Sequence, residues 1–263
     1  MSYFDWLKRA DKTVIRKVLD LKMRKVQALG KCENCGASSK LVLHRLTYDR
    51  VVPVENEVKL VCVKCHREVY HKFQVEEKKK KIIGKVEELL GVLGLSCSDE
   101  NFYETPARFG RMLVEFIQSK EELEVEFEEI QSQVFPSGVS ELVVVKDIAV
   151  FGLCPHHLLP VEYQVAIGYL PDGLVLGLSK FSRIVELLSK SPMLQEDLTV
   201  QIRDVVSGML ATENVGVFVK GKHFCMVMRG VKQRAVVMTS ALGGVLLTDR
   251  GAKKEFFDLA EEK

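Results

Sequence analysis

Two pairs of cysteines constrain this chain more than any other feature of its sequence. Cys32-x-x-Cys35 and Cys62-x-x-Cys65 have the spacing of a four-cysteine zinc site. Four thiolates complete a tetrahedral shell, and a closed shell is typical of a structural metal rather than a catalytic one. A unit this small needs the metal as its core, so we expect one structural Zn²⁺ here.

The seven cysteines of the 263-residue chain also bear on its compartment. Four lie in the CxxC pairs and a fifth stands beside two histidines, which favours metal ligation in a reducing environment over a disulfide scaffold. No apolar run approaches the roughly 18–20 residues that a membrane-spanning helix needs. The first residues lack the apolar core of a signal peptide. We expect a cytoplasmic protein with no membrane partner.

The net charge of +2 hides an asymmetry along the chain. Residues 1–85 contain 21 Lys and Arg against 10 Asp and Glu, which leaves 17 against 26 for the remainder. A basic part joined to an acidic part predicts two units with different partners. We divide the chain into a basic helix plus zinc module (1–73), a helical connector (74–97) and an acidic domain (98–263).

Hydrophobic periodicity predicts an α+β fold for the acidic domain. Helices are expected at 8–29, at 74–94 with an interruption at Gly84, from Thr105, at 179–190, at 194–211 and at the C-terminus. Strands are expected at 141–152, 161–170, 214–220, 225–231 and 235–240. Thr105 is predicted to cap its helix ahead of Pro106, with the buried stripe formed by Phe109, Met112, Leu113 and Phe116.

A second cluster of metal-binding residue types lies in this domain. Cys154-Pro-His156-His157 follows a predicted strand, and His223-Phe-Cys225 lies at the predicted start of another. Two cysteines and a histidine suit zinc, and three protein ligands leave the open fourth position of a catalytic site. Neighbouring side chains on extended backbone point opposite ways, so one of the two adjacent histidines binds and the other faces substrate. From these residues alone, a catalytic metal, a structural metal and an unligated core cluster all remain open.

Five motifs then resemble the GTP cyclohydrolase I family, in order and spacing, from about Ser98 to the C-terminus: ETPARFGRM, FGLCPHHLLP, LGLSKFSRI, LQEDLTVQI and HFCMVMRGV. The resemblance implies a catalytic zinc held by Cys154, His157 and Cys225, and proton transfer by His156 and His223. It implies a triphosphate site formed by Ser179, Lys180, Arg183 and Arg229, with Arg108 and Arg111 as additions. It assigns guanine recognition to Gln195 and Glu196.

The family resemblance also implies a reaction and an assembly. GTP would be hydrolysed at C8, with formate and 7,8-dihydroneopterin triphosphate as products. The domain would adopt the tunnelling fold (T-fold), in which antiparallel sheets from several subunits form a ring, and a homodecamer with interfacial active sites is expected. The sequence departs from the family at Pro155, where glutamate is usual, and proline removes both a carboxylate and a backbone donor.

The basic module resembles the HNH nuclease family over about residues 30–72, as a ββα zinc unit. His44 matches the first position of the usual pair, but Arg45 occupies the position of the general base, and arginine does not deprotonate in proteins. Glu57 stands where asparagine is expected, unless Asn56 takes that place, while His66 fits well. We expect a module that does not cleave, and its basic charge leaves two roles open: contact with nucleic-acid phosphates, or assembly.

Two other functions remain to be weighed. A nucleic-acid-binding protein or HNH endonuclease with a cyclohydrolase-like body would nick DNA independently of Cys225. A pterin- or purine-binding relative on the same fold would bind GTP without releasing formate. The complete set of metal-binding and histidine positions in the acidic domain argues against mere binding, because binding alone needs no open metal site.

Overall fold

The computed structural model describes residues 21–261 except for 23, 27, 39–40, 46–57, 63–64, 66–71, 119–122, 124–125, 128–129 and 131–132. Its strands are β1 (Leu41–Arg45), β2 (Val58–Cys62), β3 (Val134–Pro136), β4 (Val143–Leu153), β5 (Pro160–Tyr169), β6 (Leu174–Leu176), β7 (Val215–His223) and β8 (Val237–Leu242). Its helices are α1 (Lys72–Val92), α2 (Thr105–Phe116), α3 (Leu178–Ser189), α4 (Gln195–Leu210), α5 (Phe224–Val227), α6 (Gly244–Thr248) and α7 (Arg250–Glu261). Helical residues also occur between 21 and 29 and between 123 and 130.

A four-stranded antiparallel sheet of order β4-β5-β7-β8 forms the centre of the carboxy-terminal part. Apolar residues that recur with period two give the sheet one continuous apolar face, and buried residues such as Ala166 and Phe218 lie on the other face. The odd-numbered residues of β5 pack with α3 and α4 in one apolar cluster that includes Tyr163, Phe181 and Ile202. The predicted α+β class is confirmed.

The opposite face of the sheet is covered by α6 and α7. Phe256 of α7 is fully buried there and packs with Ala166, Phe218 and Leu246. Gly168 makes this approach possible, because a Cβ at that position would lie 2.5 Å from the Phe256 ring. Helices on both faces leave the ends of the strands as the place where polar residues from different strands meet.

The residues of α2 bury a different face from the one predicted. The helix is capped by Glu104 rather than Thr105, with no side-chain hydrogen bond at the cap, and its buried residues are Pro106, Gly110 and Val114. Phe109 and Met112 are instead exposed. The reason is the close packing of α1 on α2, where a Cβ at Gly110 would be only 3.0 Å from Ile83 Cγ1.

Two further predictions about elements were wrong. The helix predicted to be interrupted at Gly84 runs without a break as α1, because an exposed glycine weakens a helix without ending it. The strand predicted at 225–231 does not form, since Phe224–Val227 is a short helix. The other strands and helices predicted after residue 140 form within a few residues of their expected bounds.

In the amino-terminal part, β1 and β2 pair antiparallel, with Leu41 opposite Cys62 and His44 opposite Lys59. Most of the helix predicted at 8–29 lies outside the described residues. None of the helices within the described ranges is long and apolar enough to cross a bilayer.

Candidate metal centre and active site

A tight turn between β4 and β5 carries the CPHH sequence. The backbone N–H of Cys154 donates to the carbonyl of Leu159 at 2.9 Å, and the N–H of Leu158 donates to the carbonyl of Cys154 at 2.8 Å. Leu158 has the left-handed backbone angle φ 51° that such a turn requires. The turn holds residues 155–157 at the end of the sheet, beside the last residue of β7.

Three side chains converge at this end of the sheet. The Sγ atoms of Cys154 and Cys225 and a ring nitrogen of His157 all lie within 4.8 Å of one another. Cys154 is buried, Cys225 is half-buried and His157 is exposed, so the group is anchored in the core and open toward solvent. Two thiolates and one imidazole are the donor types that Zn²⁺ prefers, and an exposed side leaves room for a further ligand.

The two adjacent histidines do not point in opposite directions as predicted. They lie in a turn rather than on extended backbone. Both Nδ1 atoms approach Cys154 Sγ, at 3.9 Å from His156 and 3.8 Å from His157. His157 also falls within reach of Cys225, and His156 does not belong to that group.

His223 is the last residue of β7 and Cys225 lies in α5, so the expected extended backbone from 223 to 225 is not present. Nε2 of His223 lies 3.0 Å from Oε1 of Gln195, and the ring of Tyr163 meets the imidazole edge-on with centroids 6.3 Å apart. His223 is therefore contacted from two sides, by Gln195 and Tyr163, immediately before α5, the helix that contains Cys225.

The charges of this site depend on one another. Burial lowers the pKa of His223, and the carboxylate of Glu196 opposes that shift. Burial also raises the pKa of Cys225, as do its hydrogen bond to Cys154 and the charge of that neighbour. Burial together with the charges of Cys154, Glu196 and Cys225 raises the pKa of Tyr163 to about 12. A cation bound between the two cysteines would stabilise the thiolate form of both.

The residues that the resemblance assigns to the triphosphate lie on three elements. Ser179, Lys180 and Arg183 occupy the first two turns of α3, where the helix dipole favours an anion. Arg229 is exposed in the turn after α5.

Arg108 and Arg111 are exposed on α2. Arg108 is paired with the carboxylate of Glu104 one turn earlier. Among the described residues, no contact joins Arg108 or Arg111 to the group formed by Cys154, His157 and Cys225.

The two residues expected to recognise guanine differ sharply in exposure. Glu196 is exposed in the first turn of α4. Gln195 is only 2% exposed, and the two N–H groups of its amide are shared among three acceptors, the backbone carbonyls of Val219 and Val237 and Thr239 Oγ1. The side chain of Gln195 is thus committed inside the domain, whereas that of Glu196 faces solvent.

A second group of metal-binding side chains lies in the amino-terminal part. The Sγ atoms of Cys32, Cys35, Cys62 and Cys65 lie within 4.8 Å of one another. Those of Cys35 and Cys62 are 3.7 Å apart, too far for a disulfide and close to the edge of about 3.8 Å in a tetrahedron with 2.3 Å metal–sulfur bonds. Backbone N–H groups of Asn34 and Cys65 point to Sγ of Cys32 and Cys62 at 3.4 Å.

The pKa values of two of these thiols, Cys32 and Cys65, are shifted in opposite directions. Burial opposes the ionisation of Cys32, but backbone N–H donors of Cys62, Cys35 and Asn34 lower its pKa to about 6. The pKa of Cys65 is raised to about 12 by its hydrogen bond to Cys35, by burial, and by the charge of Cys32. A divalent cation would remove that conflict.

The cysteine turn is tied to its surroundings by polar contacts. The N–H of Glu33 donates to the carbonyl of Leu60 at 2.8 Å, and the Glu33 carboxylate accepts the N–H of Leu60 at 2.5 Å. Buried Lys25 lies 3.5 Å from that carboxylate and donates to the carbonyl of Val58 at 2.8 Å. The cluster of buried apolar residues here consists of Val61 and three of the cysteines. Of the expected nuclease residues, His44 lies on β1, while His66 lies outside the described residues.

The fold and the site together define an α+β domain with three side chains that could hold a metal ion at the end of an antiparallel sheet, on a side open to solvent. The sequence model of the family described as GTP cyclohydrolase I matches residues 82–261, and the chain belongs to that family. Because the match starts at residue 82, inside α1, the four-cysteine group lies outside it.

Individual relatives agree with this assignment. "GTP cyclohydrolase 1" of Histophilus somni (strain 2336) is 36% identical over 188 residues, which is 71% of this chain and 86% of the relative. "GTP cyclohydrolase 1" of Actinobacillus pleuropneumoniae serotype 5b is 40% identical over 172 residues, or 65% and 78% of the two chains. A solved structure, the archaeosine synthase QueF-Like in the apo form, covers 39% of this chain and 95% of its own, at 23% identity and a TM-score of 0.32, an overlap too small to bear on function.

Sequence reasoning missed the residues that surround His223. Tyr163 and Thr239 lie in none of the five motifs and reach the site only through strand register, whereas Thr199 lies within LQEDLTVQI and reaches it through the packing of α4. Gly221 is paired with Tyr163 across β5 and β7, and a Cβ there would overlap Oε1 of Gln195. A glycine two residues before the histidine was the one available signal.

Proposed function

We propose that residues 98–263 act as a GTP cyclohydrolase I, which hydrolyses GTP at C8 to formate and 7,8-dihydroneopterin triphosphate. The observation that carries the proposal is the convergence of Cys154, His157 and Cys225, beside His156 and His223, in a member of that family. The donor set fits Zn²⁺, which when bound would act as a Lewis acid and activate water toward C8.

The side chains of the site have separate tasks in this proposal. His156 and His223 exchange protons with the purine, and protonation of N7 makes C8 electrophilic enough for water to attack. The first turns of α3, with Ser179, Lys180 and Arg183, hold the triphosphate, and Arg229 adds a further cation.

Base selection is assigned to Glu196, whose exposed carboxylate accepts hydrogen bonds from the ring N–H and the amino group of guanine. Adenine lacks that pair of donors, so the same carboxylate excludes ATP. Pro155 is exposed in the turn and contributes neither a metal ligand nor a histidine, so we expect it to affect the rate rather than the reaction.

The test is to incubate metal-replete full-length protein with GTP and to measure formate and the pterin chromophore together. Cys225→Ala is expected to abolish both products, while Cys97→Ala, a cysteine in neither metal group, is expected to leave them unchanged. Tight GTP binding with no formate from the unsubstituted protein would instead support a binding relative. Formate without the pterin would mean that the reaction stops after ring opening.

We also propose that Cys32, Cys35, Cys62 and Cys65 hold a structural Zn²⁺, separate from the catalytic one. The tetrahedral sulfur spacing and the small apolar cluster around it support this role. Metal analysis should give two zinc ions per chain. Cys35→Ser is expected to remove one of them and retain formate release, whereas Cys225→Ala removes the other and abolishes it. A Cys35→Ser protein that still holds two ions would contradict the assignment.

Assembly into a ring is the remaining part of the proposal. The sheet has two edges, β4 and β8, and both carry exposed apolar side chains, including Phe151 and Met238. Edge strands with free hydrogen-bonding groups favour pairing with another copy. Light scattering on the purified protein is expected to give a homodecamer, with active sites completed by basic residues of neighbouring copies. A monomer that is fully active would contradict this.

A further inference from the structure

The side-chain amide of Gln195 has an orientation that its surroundings determine. Its Nε2 lies 3.2 Å from the carbonyl oxygen of Val219, 3.1 Å from that of Val237 and 3.1 Å from Thr239 Oγ1. A backbone carbonyl accepts hydrogen bonds and cannot donate them, so the atom that faces two carbonyls must be the NH₂ group. The oxygen of the amide is therefore the atom that faces His223.

A chain of hydroxyl groups supports the same orientation. Thr199 Oγ1 donates to the backbone carbonyl of Gln195 at 2.7 Å and lies 2.6 Å from Thr239 Oγ1. Since the Thr199 hydrogen is used in that bond, Thr239 donates to Thr199 and is left to accept from the Gln195 amide. The hydrogen bonds run in one direction around a closed ring, which fixes the amide more firmly than any single contact.

The amide in turn determines where His223 carries its hydrogen. Oε1 of Gln195 is 3.0 Å from Nε2 of His223, and an amide oxygen only accepts, so Nε2 must carry a hydrogen. Neutral His223 is then the Nε2–H form, with its lone pair on Nδ1.

We propose that Gln195 is a positioning residue, which holds His223 with Nε2–H toward the domain interior so that Nδ1 exchanges a proton with the substrate. This rests on the proposed function, because it concerns the histidine that moves a proton in that reaction. It differs from the role that the family resemblance assigns to Gln195, which is contact with guanine. The side chain is 2% exposed and its donors are used within the domain, which leaves Glu196 as the base-selecting residue of the pair.

The two roles predict opposite kinetics. Gln195→Met keeps the length of the side chain and removes the acceptor, and is expected to lower kcat by about tenfold or more while changing the KM for GTP less than about twofold. The matched control is Gln201→Met, the same substitution at an exposed position of α4, with kinetics expected to remain unchanged. A raised KM with unchanged kcat would overturn the proposal in favour of guanine contact. An equal loss in both variants would mean a general effect on the helix.

A second measurement does not depend on turnover. In full-length protein labelled with ¹⁵N-histidine, the His223 ring, assigned by comparison with a His223→Asn variant, is expected to carry its proton on Nε2 and to lose that preference in Gln195→Met. A ring protonated on Nδ1 alone in the unsubstituted protein would overturn the proposal whether or not the enzyme is active. An Nε2–H ring in a protein that releases no formate would leave this contact intact and refute the proposed reaction instead.

Discussion

Gly221 shows how much the site depends on one missing side chain. A Cβ there would overlap the Gln195 amide oxygen and lie 3.2 Å from Tyr163 Cε1. We predict that Gly221→Ala displaces the amide from His223, lowers kcat about tenfold or more, and costs about 1–3 kcal/mol through overpacking. Formate release and thermal unfolding measure the two effects.

The control for this substitution is Gly138→Ala, because no heavy atom lies within 4 Å of a Cβ built at Gly138. It is expected to change neither quantity. Unchanged turnover in Gly221→Ala would indicate that the amide can move without consequence, and would count against the positioning role of Gln195.

In the proposed function, the selection of guanine over other bases also depends on a single residue, Glu196. Glu196→Gln replaces a charged acceptor by a neutral amide, so we predict a loss of about 10- to 100-fold in kcat/KM for GTP. The preference for GTP over inosine triphosphate, which lacks the amino group, should narrow. Asp197→Asn removes the same charge from the same helix turn and is the control. An equal effect in both variants would indicate the charge of the helix start rather than a base contact.

The chemically distinctive residues of the site could be identified from the sequence. Cysteine and histidine are rare, and their clustering at 154–157 and 223–225 marks a metal-type site without knowledge of the fold. Tyr163 and Thr239 could not be identified, because a common residue becomes part of a site only through its neighbours. Those neighbours are fixed by the register of β5, β7 and β8, in which Tyr163 meets Gly221 and Thr239 meets Val219.

At the scale of elements, two helical glycines have opposite surroundings. A Cβ at Gly84 in α1 would meet nothing within 4 Å, while one at Gly110 in α2 would lie 3.0 Å from Ile83 Cγ1. We predict that Gly84→Ala raises the stability by about 0.5–1 kcal/mol, because alanine favours the helix. Gly110→Ala should give no increase, because crowding at the α1–α2 contact offsets that gain.

Thermal unfolding at one protein concentration compares the two variants. A melting temperature that rises equally in both would mean that α1 and α2 are not in close contact. A fall in Gly84→Ala would mean that this face of α1 is covered by something other than solvent.

Periodicity predicted most elements of the carboxy-terminal part because each buries a continuous apolar row. It failed where apolar residues serve a turn, as in Phe224–Val227, whose run of apolar side chains looks like a strand but forms the helical turn that presents Cys225. It also failed for α2, where the buried line passes through Gly110, a residue without hydrophobicity of its own. For α2 the neighbouring helix α1, rather than the local sequence, determines which face is buried.

The whole molecule joins two parts with opposite charge and separate metal-type groups. Deleting residues 1–71 removes the four-cysteine group and keeps α1 intact, including the hydrogen bond from Lys78 to the carbonyl of Ile117. We predict that this deletion retains formate release and loses salt-dependent retention on immobilised duplex DNA, because the deleted part contains 15 Lys and Arg against 8 Asp and Glu.

Gel filtration of the deleted protein provides the control for correct assembly. If the deleted protein is still retained on DNA, the surface that binds DNA lies within residues 72–263. Loss of formate release from a normally assembled protein would mean that the amino-terminal part contributes to the reaction.

The family of the carboxy-terminal part could be identified from sequence because five motifs spread over one domain. The role of the amino-terminal part could not, since its cysteine spacing specifies a metal and leaves the partner open. The resemblance to HNH nucleases stays a prediction, and of the two positions on which cleavage would depend, His44 matches the usual pair and Arg45 does not.

The contact between Gly221 and Gln195 also limits how this enzyme can change over evolutionary time. A side chain at position 221 would collide with the Gln195 amide, so a substitution of Gly221 requires a smaller residue at 195. A smaller residue at 195 in turn removes the closest contact that keeps position 221 a glycine. The two positions are 26 residues apart in the sequence. We expect them to be inherited as a pair, so that a homologue with a larger residue at 221 carries a shorter one at 195 and holds its histidine by another acceptor.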